Sequence, residues 1–512
     1  MRGCATAIFW LLATALGVES PAATVELQAQ RRDADGKAVR ERLAIEPSKT
    51  AVVIIDMWDR HWRKTYTARV ANMVPRMNQT LDAARKLGIQ VVHAPSDVLG
   101  PYQDSPQRKT MLAIPVQPEP KTGPFNPLGP PGGRDCCECG PDRPCSPGNV
   151  WSRQHPDLKI ADGDLVADCN NGRELLNVCQ HRGITTLVYM GVASNMCVIG
   201  RSSGILNMKR HGLQVFFVSD LVEAITANGC DPATKQPDPN FTPAKGSYIV
   251  QRYLEQQIAP SIESRQLIAA AGLDPHAQDK RPHVVFVISE PEYDSGTTMP
   301  AFAEKHLAKD FRCTFVHANP NGGNDLPGLA ALYDADLLVL SVRRRALPVV
   351  QMDHLERFIR AGKPLVAIRV SCVPFAAGKA PSGHVVWERF DREVLGCNYQ
   401  GYDAESRRTG CDAWVAPEAA DHPILQGLPS PNFHSRSWLY KMRPLAEAAK
   451  PVMMGRWTEN KPAEPVAWTQ VYNGGRVFYT SLGHPDDFTT PSFPVLLRNA
   501  VYLALAMPTP GS

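Results

Sequence analysis

Three side chains far apart in the sequence could together attack a carbonyl carbon. Asp56 closes the apolar run at 51–55, the pattern of a buried strand, so its carboxylate faces the crevice at that strand's carboxyl end. Cys197 follows another apolar run, 186–191, through Val192-Ala193-Ser194-Asn195-Met196 and opens the next helix. A thiol there feels the positive end of the helix dipole, which is expected to lower its pKa and supply thiolate near neutrality. Lys159 precedes the helix that leads into the same strand. An acid, an amine and a thiol that meet can run nucleophilic catalysis through sulfur. Taken singly, a core cysteine is more often a small hydrophobe and a strand-end Asp a helix cap. The combination is what gives them chemical meaning.

The elements that must position them alternate. Strands are expected at 51–56, 90–94, 186–191 and 213–218, with helices at 74–87, 172–182 and 202–211 between them. Such alternation makes a parallel sheet covered on both faces, with its ligand site at the carboxyl ends of the strands. A second alternation begins near 282, with strands at 283–288, 313–316, 335–340 and 364–368 and helices at 299–309 and 350–361. The fold class is therefore α/β: two doubly wound parallel-sheet domains, at 48–260 and 283–507, joined by a linker at 261–282. An insert at 98–150 interrupts the first domain, with twelve prolines and the cluster Cys136-Cys137-Glu138-Cys139 with Cys145. It is expected to shape the pocket, and a disulfide staple suits the cluster. A structural zinc stays open, although Cys-x-Cys is not a finger spacing.

The 512 residues are 43 % apolar and 21 % charged, which excludes a disordered chain and a coiled coil. Lys+Arg 55 against Asp+Glu 51 gives +4, scattered without like-sign runs, so no nucleic-acid partner is expected. Arg2, an apolar stretch at 7–16 and Ser20-Pro21-Ala22 have the layout of a signal peptide at 1–22. The chain is then expected to be exported, periplasmic or extracellular, with no membrane association after cleavage; a membrane anchor is the alternative reading of the same stretch. Export makes disulfides permissible for the twelve of thirteen cysteines that follow the signal.

At Ile55-Asp56, Lys159 and Gly191-Val192-Ala193-Ser194-Asn195-Met196-Cys197-Val198 the chain resembles the isochorismatase-like cysteine hydrolases, the family of nicotinamidases and N-carbamoylsarcosine amidases. The likeness runs over about 48–260 and takes in Val218-Ser219-Asp220; Ser194 stands where the family usually has threonine. It implies that Asp56 takes the thiol proton, Lys159 stabilises the charged species and Cys197 attacks a small amide to give a thioester. It also implies an oxyanion hole at the N–H groups of Ala193 and Cys197, beside a cis peptide between Val192 and Ala193. Many members bind a metal through Asp-x-His; here Asp97 is followed by Val98-Leu99, so no metal and no cofactor are expected, with Asp59 and His61 as an alternative pair. Trp58, His61, His93, Arg153 and Asn195 are the candidate substrate-binding residues. A homo-oligomer is compatible with this reading.

The stretches 387–396, 422–428, 464–469 and 474–484, with Asp487-Phe488, look like the trehalose-utilisation ThuA-like family, whose fold is similar to the flavodoxin-like class I glutamine amidotransferases. Amidotransferases carry a cysteine on the turn after the strand at 365–368. Arg369 stands there, with Cys372 three residues on, so glutaminase chemistry is not expected. Arg369, His384, His484 and Asp487 are candidates to line a site for a carbohydrate-derived ligand. A secreted, non-catalytic sugar-binding or scaffold protein with a vestigial hydrolase site is the alternative.

Overall fold

The computed structural model describes residues 24–118, 123–124, 148–231, 234–238 and 240–510. The predicted signal at 1–22 and the cluster at Cys136, Cys137, Cys139 and Cys145 lie outside them. Among the described residues no helix is long and apolar enough to cross a membrane.

The first sheet is built from β1 (Val25–Arg32), β2 (Ala38–Ile45), β3 (Thr50–Ile55), β4 (Gln90–Ala94), β5 (Leu165–Val166), β6 (Thr186–Val192), β7 (Gln214–Glu223) and β8 (Ser261–Ile262). Its order is β2-β1-β8-β7-β6-β3-β4-β5, parallel from β8 to β5. Strands β3 and β6 lie at the centre and are buried along their whole length, which suits runs without charged residues. The helices are α1 (Lys64–Leu87), α2 (Pro106–Leu112), α3 (Gly172–Arg182), α4 (Cys197–Gly200), α5 (Ile205–Arg210), α6 (Pro243–Tyr253) and α7 (Ser264–Ala270).

Three features depart from the sequence reading. The sheet begins before residue 48, because the antiparallel β1–β2 hairpin is added to its edge through β8. The expected linker at 261–282 is ordered in its first half: Leu267 and Ile268 of α7 are buried, Ile268 against Ala83 of α1, and Ser264 N–H donates to Asp220. Part of the insert is helical, with Arg108 of α2 paired to Glu174 of α3.

The second sheet comprises β9 (His283–Ser289), β10 (Arg312–His317), β11 (Leu337–Val342), β13 (Leu365–Ile368), β15 (Cys411–Val415), β16 (Asn432–Ser435), β17 (Lys450–Arg456), β18 (Glu464–Tyr472) and β19 (Gly475–Thr480); β12 (Leu347–Pro348) and β14 (His384–Val385) pair separately. Its helices are α8 (Ser295–His306), α9 (Val349–Arg360), α10 (Ser406–Thr409) and α11 (Phe493–Ala504). The order is β10-β9-β11-β13-β19-β18-β17-β15-β16. The first five strands are parallel; the last four are antiparallel, so the sheet is mixed rather than wholly parallel. The cause is local: Asn473 and Gly474, both at positive φ, make a two-residue turn that folds β18 directly back onto β19.

Helix α9 packs on α1 and α6 and so joins the two halves. The seam is rich in ion pairs, among them Arg76–Asp334, Arg265–Asp336 and Lys363–Glu263.

Candidate active site

The carboxyl ends of β3 and β6 bring Asp56 and Cys197 together. Asp56 and Met57 both hold positive φ, 56° and 57°, a conformation that costs a non-glycine residue about 1–2 kcal/mol. Strain of this kind, two residues running, marks a place where side-chain direction matters more than stability. Asp56 is fully buried; its Oδ1 accepts from Ser96 N–H at 2.7 Å and Ser96 Oγ at 2.5 Å. Its Oδ2 is buried without a hydrogen-bond partner, and the Cys197 thiol is close enough to bear on its titration. Burial pushes the carboxyl up from 3.8 to about 6, although the hydrogen bonds from Ser96 and Cys197 pull the other way. Cys197 itself is held well above the ordinary thiol value, by burial first and by the Asp56 charge second. The expected depression by a helix dipole is thus reversed: α4 is only four residues long, too short for its dipole to outweigh desolvation. The turn before it contains a cis peptide between Val192 and Ala193. Ala193 C=O accepts from Met196 and Val198, and among the described residues no hydrogen bond engages the Ala193 or Cys197 N–H.

The cation beside this pair is Arg201, and Lys159 does not join it. Lys159 is exposed, with its N–H donating to Asn78 and its C=O accepting from Arg85, both on α1. Arg201 follows Cys197 by four residues and is within hydrogen-bond reach of the thiol. Its guanidinium also donates to Asn170 at 2.7 Å and pairs with Asp97 at 3.4 Å. Asp97, read as a metal position in the family, is engaged there, and Asp59 is bonded to Ser152.

Residues 151–155 run back along 57–59, with His155 N–H donating to Met57 C=O and Asp59 N–H to Arg153 C=O. This lays Trp151 on Trp58, ring centroids 4.6 Å apart, and on His61. Trp62 and Tyr66 complete the wall around His61. Burial and the nearby Arg63 and Arg69 drive the His61 imidazole down to about 3, so it is neutral at any ordinary pH. The other three binding candidates do other things. His93 is fully buried between Gln154 and Asp164, Arg153 is exposed and engaged through its C=O, and Asn195 clamps Ile225 through both its N–H and C=O.

In the second half, Arg369 and His484 approach one another at the ends of β13 and β19. Arg369 is buried at φ 53°, lies 4.0 Å over the Tyr293 ring and donates to Ser481 C=O. His484 meets the same tyrosine edge-on, with ring centroids 6.4 Å apart. Tyr402, Trp438 and Tyr440 line a cleft nearby with Glu292, Arg343 and Arg344. His384 is not in this group: it lines a cavity of about 210 Å³ on the seam with Thr65, Asp353 and Glu356.

Residues 50–244 match the Isochorismatase domain family model, and residues 284–504 match the ThuA model, described as Trehalose utilisation. The chain is an isochorismatase-like hydrolase domain followed by a ThuA-like domain. Among solved structures, a ThuA-like protein from Parabacteroides merdae is 16 % identical, with 45 % of this chain and 92 % of that one covered and a TM-score of 0.34. A cysteine hydrolase from Pseudomonas syringae pv. phaseolicola is 15 % identical, covering 44 % and 94 % with a TM-score of 0.29. An isochorismatase family protein from Burkholderia thailandensis is 17 % identical, covering 44 % and 96 % with a TM-score of 0.27. None of the curated proteins compared with the chain matches it.

Within the ThuA-like domain, Asp487 and Cys372 are occupied structurally. Asp487 Oδ2 accepts from Ser435 Oγ, Ser437 Oγ, Gly483 N–H and His484 N–H, and Oδ1 from Arg436 N–H. Removing a buried acceptor with that many donors orphans all of them. Asp487→Ala is therefore expected to cost about 2–4 kcal/mol, read as a lowered thermal transition of this domain; a transition unchanged from wild type would refute the role. Cys372 is wholly buried with its thiol pushed up to about 12, so it is an inert core residue.

Proposed function

We propose that the isochorismatase-like domain hydrolyses a C–N bond of a small amide through a thioester on Cys197. The observation that supports this most directly is the buried Asp56 carboxyl, raised to about 6, facing a thiol that sits far higher. With that ordering the resting pair is thiol plus carboxylate. The proton passes to Asp56 as sulfur bonds the carbonyl carbon, so free thiolate need not accumulate. The oxyanion is held by the N–H groups of Ala193 and Cys197, and the Arg201 guanidinium supplies the positive charge that the family resemblance assigns to Lys159. Asp56 hands its proton to the leaving nitrogen as the C–N bond breaks. Water then attacks the thioester carbonyl while Asp56 takes its proton, and the thiol is restored as the acid leaves. The wall of Trp58, His61, Trp62 and Trp151 is uncharged and suits a small, neutral substrate.

The ThuA-like domain is proposed to hold a carbohydrate-derived ligand, whose hydroxyls and apolar ring face suit the arginines and aromatic rings around Arg369, Tyr402 and Trp438. Export is also part of this reading; it is supported by the apolar stretch at 7–16 and by Cys230, which is disulfide-bonded.

The burial of Cys197 also favours a second reading, a vestigial site in a secreted binding protein. One experiment separates them: ammonia release from a panel of small amides and ureides, before and after iodoacetamide treatment at pH 7.5, with the Cys197 peptide followed by mass spectrometry. Turnover that disappears as Cys197 is alkylated is the expected result. Turnover that survives full alkylation rejects the thioester, and a thiol that neither reacts nor turns over an amide supports the vestigial site.

A further inference from the structure

The turn that carries Cys197 hangs from the end of β7, and the end of β7 is held by the other domain. Ser194 N–H donates to the C=O of Glu223 at 2.8 Å, and Asn195 holds Ile225 from both sides. Glu223 lies beside Val192 in the sheet register. Its side chain is fully buried, with Oε1 accepting from Arg69 Nε at 2.9 Å and Ser247 Oγ at 3.0 Å. Oε2 is taken by Arg357, a residue of α9 in the ThuA-like domain. The same guanidinium donates to Val222 C=O at 3.1 Å and is itself fixed by Asp353 at 2.8 Å. Two arginines and two carboxylates thus balance in a nearly dry spot, and the fork of Arg357 spans a side chain and the backbone of β7 at once. A lone charge could not do that.

We propose that Arg357 is a positioning residue for the hydrolase site: by gripping Val222 and Glu223 from across the seam it sets where the 193–197 turn places the thiol against Asp56. The ThuA-like domain then completes its neighbour's site as well as offering one of its own. The inference rests on the reading of Asp56 as the base for Cys197. A misplacement of reacting groups by about 1 Å can cost a hundredfold in rate, so a loosened β7 end should be felt.

The test uses the full chain and the rate of Cys197 alkylation by iodoacetamide as a function of pH, with ammonia release alongside. In the wild type, alkylation is expected to rise in a step near pH 6, where Asp56 loses its proton. In Arg357→Met that step is expected to disappear, with labelling rising only in the range of an unassisted thiol, and kcat to fall about tenfold or more while KM stays within about twofold. Arg357→Lys, the milder change should the first variant fail to fold, keeps a charge near Glu223 and loses the fork, so it is expected to lie between. Asp334→Asn removes another ion pair across the seam, with Arg76, and is expected to keep the wild-type profile. A step retained in the Arg357 variants overturns the positioning role alone. A wild type without the step overturns the base assignment, and the role of Arg357 falls with it.

Discussion

Asp56→Asn is expected to lower amide turnover by about 10³-fold while leaving the protein at least as stable as the wild type at pH 7.5. The two effects share one cause. Asn keeps an oxygen for Ser96 but cannot accept the thiol proton, so the step that makes sulfur nucleophilic is lost. The carboxyl it replaces sits at about 6 in the folded chain against 3.8 without burial. Between those values the folded state retains a proton the unfolded chain has released. Stability therefore falls as pH rises through this window, and the full cost, about 3 kcal/mol, is present above pH 6 and absent below about pH 4. Asn removes that cost. Activity runs the other way: kcat/KM of the wild type should climb with pH through about 6 and then level, because only the carboxylate works as a base. Ammonia release and thermal unfolding across pH 5–8 measure both. A variant that loses activity by losing its fold, or a flat pH profile, would refute the assignment.

Most of what positions this pair was readable beforehand, and the reason is physical. Strands buried on both faces, such as 50–55 and 186–192, carry no charged residue along their length, and an acid closing the first of them can only stand at the crevice. Lys159 was misplaced because chain order does not report docking: its segment is tied to Asn78 and Arg85, some 80 residues earlier, by backbone contacts no periodicity announces. Arg201 is available to the same logic that points to Cys197, since the chain turns back within four residues and Arg201 N–H donates to Cys197 C=O. The sequence pattern points to the wrong sign for the thiol's shift, because it shows a helix start but not that α4 is only four residues long. The antiparallel edge of the second sheet was signalled by Asn473-Gly474. The grip of Arg357 on β7 was beyond sequence reasoning, because it depends on how two independently built sheets come to share a seam.

Gly191 should prove the least replaceable residue of the hydrolase domain. It pairs with Ile55 in the β3–β6 register, at φ 108°, and an added Cβ would stand 2.1 Å from Ile55 O and 3.0 Å from Ile55 C and N. Every one of those atoms is backbone, so none can turn aside. Gly191→Ala must therefore separate the two central strands or rotate the peptide, and the residue that moves with Ile55 is Asp56, while the one that moves with Gly191 leads into the Cys197 turn. A loss of about 4–5 kcal/mol is expected, seen as a sharply lowered thermal transition, with turnover lost in whatever protein remains folded. Gly88→Ala is the matched comparison: at φ 82° it has the same backbone preference, yet nothing lies within 4 Å of its Cβ. It should cost only the conformational penalty, about 1–2 kcal/mol. If the two substitutions prove equal, the close approach of β3 to β6 is not what requires glycine; if Gly191→Ala is far worse, the distance between the acid and the thiol is set by a carbonyl oxygen that tolerates no side chain opposite it.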